Sequence, residues 1–168
     1  MTGAATIAGV AVAVVVAVLV LGLWLVWTAN RLDKLHLRCA AARATLEEQA
    51  LRRAVAAQEL ATSGSLDIAS AVLLSDAAVA ARGAVGQGRW QAESDLTGAL
   101  HLVVLPADGP EVRELADAGR RLTMARRIHN DVATSTVALR GRRLVRWFRL
   151  AGRAPAPQMI AFDDRVCP

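Results

Sequence analysis

Residues 7–29 read IAGVAVAVVVAVLVLGLWLVWTA, and residues 30–62 continue NRLDKLHLRCAAARATLEEQALRRAVAAQELAT. No charged side chain occurs from Gly3 to Ala29, and no Gly or Pro interrupts Arg31–Thr62. A helix rises about 1.5 Å per residue, so about 20 apolar residues cross a hydrocarbon core of about 30 Å. Ile7–Trp27 has that length. With no breaker after it, the same helix is expected to continue beyond the apolar run for about 45 Å.

The continuation carries a pattern of its own. Leu32, Leu35, Cys39, Ala42, Leu46, Gln49, Arg53, Ala56 and Leu60 recur at spacings of three and four, a heptad-like stripe. Gln49 and Arg53 stand where apolar residues belong. Either the stripe drifts, so that Leu51 and Val55 take over while Arg53 snorkels, or a polar layer lies inside a bundle; drift is the expected reading.

Working outward from this rod, the apolar run reads as a retained anchor. The preceding residues 1–6 lack a basic side chain, and the run exceeds the roughly 7–15 residues typical of a signal-peptide core. Trp27-Thr28-Ala29-Asn30 is a poor cleavage site, and Arg38 before Cys39 does not read as a lipoprotein box. Arg31, Lys34, Arg38 and Arg43 follow the span, whereas no Lys or Arg precedes it. The positive-inside rule then places the N-terminus outside and the remainder in the cytoplasm. Two distant cysteines, Cys39 and Cys167, fit a reducing compartment, with pairing between them left open.

Three further helices are expected. Ser63-Gly64-Ser65 ends the first, with Ser65 as N-cap of a second helix over Leu66–Arg82 that faces Leu66, Ala69, Leu73, Ala77 and Ala80 inward. Gly83, Gly86 and Gly88 mark a loop. A third helix over Arg89–Leu105 buries Leu96, Ala99, Leu100, Val103 and Val104. The break at Pro106–Pro110 precedes a fourth over Glu111–Leu139, with Leu115, Ala118, Leu122, Ala125, Ile128 or His129, Val132, Ser135 and Leu139 inward. No strand signal occurs. The fold class is all-α: a short tail at 1–6, a transmembrane helix at 7–29, an antiparallel long-helix bundle at 30–139, and an Arg-rich amphipathic segment with the C-terminal tail at 140–168.

Charge is concentrated in that last segment. Residues 1–139 hold 13 Lys and Arg against 13 Asp and Glu, so residues 140–168, with 7 Arg and 2 Asp, carry the whole net charge of +5. As one helix over 140–153, the segment would place Leu144, Val145, Trp147, Phe148 and Ala151 on one side and Arg142, Arg143, Arg146, Arg149 and Arg153 on the other. That pattern predicts a helix lying in a membrane interface, each Arg contributing about 1 kcal/mol at an anionic leaflet. The expected membrane-interface residues are Arg142, Arg143, Leu144, Arg146, Trp147, Phe148 and Arg149, and the expected partners are the bilayer and its anionic inner-leaflet lipids. Nucleic acid is not the expected partner, because Trp147 and Phe148 are not interleaved with the Arg row. Within the span, Gly9, Ala13 and Ala17 form a small-residue stripe suited to helix association and to homo-oligomers.

Catalytic patterns are sparse. His36 and Cys39 lack the second half of a zinc site, and Gly83, Gly86 and Gly88 lack the Lys-Ser/Thr of a phosphate loop. His101 lies in an apolar run and reads as a packed core residue. His129 and Asp131 do not share a helical face. No cofactor, metal or catalytic residue is expected.

Asn30-Arg31-Leu32 with Leu35, leading into Gln49 and Arg52-Arg53, resembles the long first helix of the LemA family of bacterial membrane proteins. Leu96 with Ala99-Leu100 resembles that family's third helix. Ala125-Arg126-Arg127, His129-Asn130 and Val132, with Thr136 beyond, resemble its fourth, and Ile160-Ala-Phe-Asp163-Asp164 resembles its terminal aromatic-acidic end. The resemblance implies one N-terminal span, a bundle of antiparallel helices, and an accessory role in the cell envelope at the inner membrane. The expected function is a non-enzymatic binding or scaffolding module, or else an adaptor for a membrane enzyme such as an envelope protease, with the membrane protein partner unidentified.

Overall fold

The computed structural model describes residues 2–148 and 156–163. It holds α1 (Thr2–Thr62), α2 (Ile68–Gly83), α3 (Gly88–Leu102), α4 (Pro110–Arg140) and α5 (Arg143–Trp147), with no strand among the described residues. The expected rod is present: α1 is one unbroken helix of 61 residues, about 90 Å long. It contains a window long and apolar enough to cross a membrane, and none of that window is buried within the chain.

α4 runs antiparallel along α1. Three core clusters fix the register: Leu32 with Leu139, Leu46 and Ala50 with Leu122 and Ala125, and Ala57 and Leu60 with Leu115 and Ala118. α2 packs along the far end of α1, and α3 packs along α2. The cluster nearest the apolar segment draws only on α1, α4 and α5, so the bundle narrows there to a neck.

Local chemistry explains the corners. Gly64 (φ 80°) and Gly86 (φ 61°) take left-handed conformations that a side chain would strain. Asp67, rather than the expected Ser65, caps α2: its carboxylate accepts from the Ala69 and Ser70 backbone N–H groups at 3.0 Å each. The hydrogen bonds from Ser70 hold this carboxyl below its ordinary range. α4 starts with Pro110 in its first turn and ends at Gly141, whose N–H donates to Val137 O at 2.9 Å.

Several inward faces differ from the expected ones. On α2 the buried residues are Leu74, Ala78 and Ala81, while Ala69, Leu73 and Ala80 are exposed. This helix is apolar on nearly every side, with Asp76 and Arg82 its only charges, so its own pattern cannot select a face. On α4, His129 rather than Ile128 is the buried one of the two alternatives, and Ala133 and Thr136 are buried in place of Val132 and Ser135. Val104 is exposed because α3 ends at Leu102 and the chain turns there. His101 is exposed rather than packed.

The heptad stripe of α1 holds along its length, and drift is corrected. Arg53 is 4% exposed and Gln49 half-buried, whereas Leu51 stays exposed at 43%. The polar layer was the right alternative. Arg53 Nη1 donates to Glu93 Oε2 at 3.2 Å, and Nη2 donates to Thr97 Oγ1 at 2.8 Å. Glu93 is fully buried. Burial pushes its carboxyl above the ordinary range, opposed by Arg53 and then Arg89.

This layer yields a pair of expectations. Arg53→Met leaves Glu93 buried without its cation and should cost about 3–5 kcal/mol in denaturant unfolding followed by circular dichroism, whereas Arg53→Met with Glu93→Leu should recover most of the loss. A carboxyl raised in the folded state binds its proton more tightly there, so its contribution is greatest at low pH and declines as pH rises. The melting temperature should therefore fall relative to that of Glu93→Gln as pH rises through and above the ordinary carboxylate range; parallel curves would disprove the assignment.

Candidate functional site

Two places combine exposure, charge and unusual polar contacts, one between α3 and α4 and one at the neck. The first is a strap of eight residues, Ala156-Pro157-Gln158-Met159-Ile160-Ala161-Phe162-Asp163, which forms no helix. Pro157 removes a backbone donor and biases the residue before it toward extended conformations. An extended chain alternates its side chains. Ile160 is buried and Phe162 half-buried, while Met159, Ala161 and Asp163 are exposed.

The strap bridges α3 and α4. Asn130 of α4 pairs with Ile160 as a backbone group would: its Nδ2 donates to Ile160 O at 3.0 Å, and its Oδ1 accepts from Ile160 N–H at 2.9 Å. His129 Nε2 lies 3.2 Å from Gln158 O. From α3, Ser94 Oγ accepts from Asp163 N–H at 3.1 Å, and Thr97 Oγ1 lies 2.8 Å from Asp163 O. Thr97 also accepts from Arg53, so the strap ends on the buried polar layer. Ile160 joins Leu46, Ala50, Trp90, Leu122 and Ala125 in one core cluster. Phe162 stacks on Trp90, with centroids 5.5 Å apart and planes 11° from parallel, and the Arg126 guanidinium carbon lies 5.6 Å from its centroid.

The strap is flanked by two clefts. One, of about 340 Å3, is lined by Arg43, Trp90, Ser94 and strap residues 158–161 among others. The other, of about 520 Å3, is lined by His36, Cys39, Ala40, Arg43, His129 and strap residues 156–158. Cys39 is buried, and burial pushes its thiol up against the opposing influence of Arg43. That makes it a poor nucleophile at neutral pH. Among the described residues, no His, Cys, Asp and Glu group is placed to hold a metal. Cys167 lies outside the described residues.

The second place is the junction of the neck with the apolar segment. The expected continuous helix over 140–153 is corrected here. α4 stops at Arg140, and α5 covers only Arg143–Trp147, because Gly141 closes the preceding helix. Val145 is 1% exposed against Leu32 and Leu139, whereas Trp147 is 80% exposed, so the two do not share a face. Arg142, Arg143 and Phe148 are exposed, and the rings of Trp147 and Phe148 lie 5.6 Å apart. Leu144 and Arg146 belong to α5, but their side chains, like the whole of Arg149, lie outside the described residues. Docking of Val145 sets α5 beside the end of the apolar run, where Trp27 is exposed and the Arg31 guanidinium carbon lies 5.6 Å from its ring centroid. Gly9, Ala13 and Ala17 are exposed further along that run.

Read on their own, the residues did not reveal the strap's clamp. Glu93 and Thr97, four apart on one face of α3 beneath Trp90, were the available signal, as was Asn130, a poor helix former in mid-helix. No family model, curated protein or solved structure matches the chain.

The clamp has a direct test. Asn130→Ala removes both bonds to Ile160 and should cost about 1–2 kcal/mol. Amide exchange at Ile160 should accelerate while exchange in α1 stays slow; unchanged protection at Ile160 would exclude the clamp.

Proposed function

We propose that this chain is a single-span membrane protein whose helical bundle serves as a binding or scaffolding module of the bacterial cell envelope, without chemistry of its own. The observation that carries the reading is the junction. A helix long and apolar enough to cross a membrane continues into the bundle without a joint, and the returning helix docks α5 beside the end of the apolar run. Exposed Trp27 and Arg31 flank the Leu32–Leu139–Val145 cluster on α1, and exposed Arg142, Arg143, Trp147 and Phe148 flank it on the α5 side; on this reading both groups lie at one level, that of the bilayer surface. Aromatic rings and arginines at such a level suit the headgroup region, where the rings sit amphipathically and the cations meet anionic lipid.

In this reading the N-terminus faces outward, the bundle lies in the cytoplasm, and the inner membrane is the site of action. The basic flank after the span supports that orientation, and the resemblance to LemA proteins supports the envelope role. The rod holds the bundle upright on the bilayer, and α5 gives it a second contact with the same surface.

A nitrobenzoxadiazole label at position 147 of the full chain, reconstituted in anionic vesicles, should shift to the blue and be quenched by spin-labelled lipid. The same label at Val104 should stay water-like. A water-like signal at 147 would remove the interfacial contact. Crosslinking in native membranes followed by mass spectrometry tests the module reading separately. Links from the bundle to a membrane protein or to a second copy are expected; their absence would refute it.

A further inference from the structure

The groove between α3 and α4 has the chemistry of a peptide-recognition site, and we infer that it takes an extended segment of a partner protein, with residues 158–163 of the chain as its resident occupant. The inference rests on reading the bundle as a binding module, and names what that module binds.

Most polar contacts of the groove go to backbone; Gln87 Nε2, which donates to Gln158 Oε1 at 2.9 Å, and Thr134 Oγ1, 3.7 Å from Met159 Sδ, meet side chains instead. Asn130 pairs with both backbone groups of Ile160, Ser94 and Thr97 hold those of Asp163, and His129 meets the carbonyl of Gln158. Side-chain recognition rests on Ile160 and Phe162, two residues apart on the inward side of an extended chain. A site that reads backbone plus alternate side chains selects conformation first and sequence second. Any extended segment with an aliphatic residue two positions before an aromatic one meets its demands.

The strap also leaves the groove incompletely used. The two clefts, of about 340 and 520 Å3, flank it and share Arg43 and Gln158 as lining. Trp90 Nε1 and His129 Nδ1 are buried in the walls and lack a hydrogen-bond partner among the described residues. Buried polar atoms are paired in the great majority of folded proteins. A longer or differently placed segment supplies an acceptor for the indole N–H and fills the clefts that the strap leaves open. The cationic Arg43 on both clefts and Arg126 at Phe162 favour a segment without basic residues there.

The test uses the full chain in detergent with a protease site inserted between residues 155 and 156. After cleavage, a fluorescent peptide of residues 156–163 is added. The cut protein is expected to take up one peptide per chain, the uncut protein at least about tenfold less, and the cut Asn130→Ala variant should bind about tenfold more weakly. A peptide with Ala at both apolar positions should not bind. Should cleavage unfold the bundle, the uncut Ile160→Ala, Phe162→Ala chain, checked by circular dichroism, accepts the same peptide. Failure of uptake by both proteins, or uptake indifferent to Asn130→Ala, would overturn the inference. So would copies that trade tails into dimers while excluding the peptide. None of these failures alters the crosslinking result or the lipid signal at position 147, so the module and membrane readings fail separately.

Discussion

The antiparallel seam between α1 and α4 positions everything else in the protein. Its residues are small: Ala50, Ala54, Ala57, Ala118, Ala125 and Ala133 line much of it. Small side chains bring helix axes close and let many weak contacts accumulate along a great length, although each buries little area. Because the seam keeps one register from Leu60 down to Leu32, the end of α4 is delivered to the end of the apolar run. α5 and the strap take their places from that delivery.

A seam rich in alanine has a weakness, since neighbouring registers bury similar shapes. The buried Arg53–Glu93–Thr97 layer adds a specific pairing on another side of α1, against α3. A slip of α1 against α3 by one turn would leave a guanidinium and a carboxylate buried apart, which costs far more than an alanine mismatch. The layer thus trades some stability for a defined alignment of α1 with α3. Thr97 also meets Asp163 O, so the docking of the strap and the alignment of the helices belong to one polar network.

The junction at the neck and the strap groove divide the work between surfaces. The junction gathers tryptophans, a phenylalanine and arginines beside the apolar helix, a composition suited to lipid headgroups. The strap groove presents backbone-directed side chains of α3 and α4 above it, a composition suited to a polypeptide. Both depend on the rigid rod, which sets their heights above the apolar segment.

The sequence by itself determined the rod, the number and order of the long helices, and the heptad stripe of α1. Those features follow from local rules: apolar length, the absence of breakers, Gly and Pro at the corners, and spacing of three and four. Only the tertiary structure decided which face of α2 is buried, because an almost uncharged helix has no preferred side until neighbours supply one. It likewise decided that Arg53 faces inward, since the partner that makes burial tolerable lies 40 residues away on another helix. The tail shows the same division. Its basic, aromatic composition was legible, but Gly141 broke the expected amphipathic helix and turned Val145 inward and Trp147 outward. The strap's place between α3 and α4 was invisible in the sequence, because side chains on two distant helices create it by meeting its backbone.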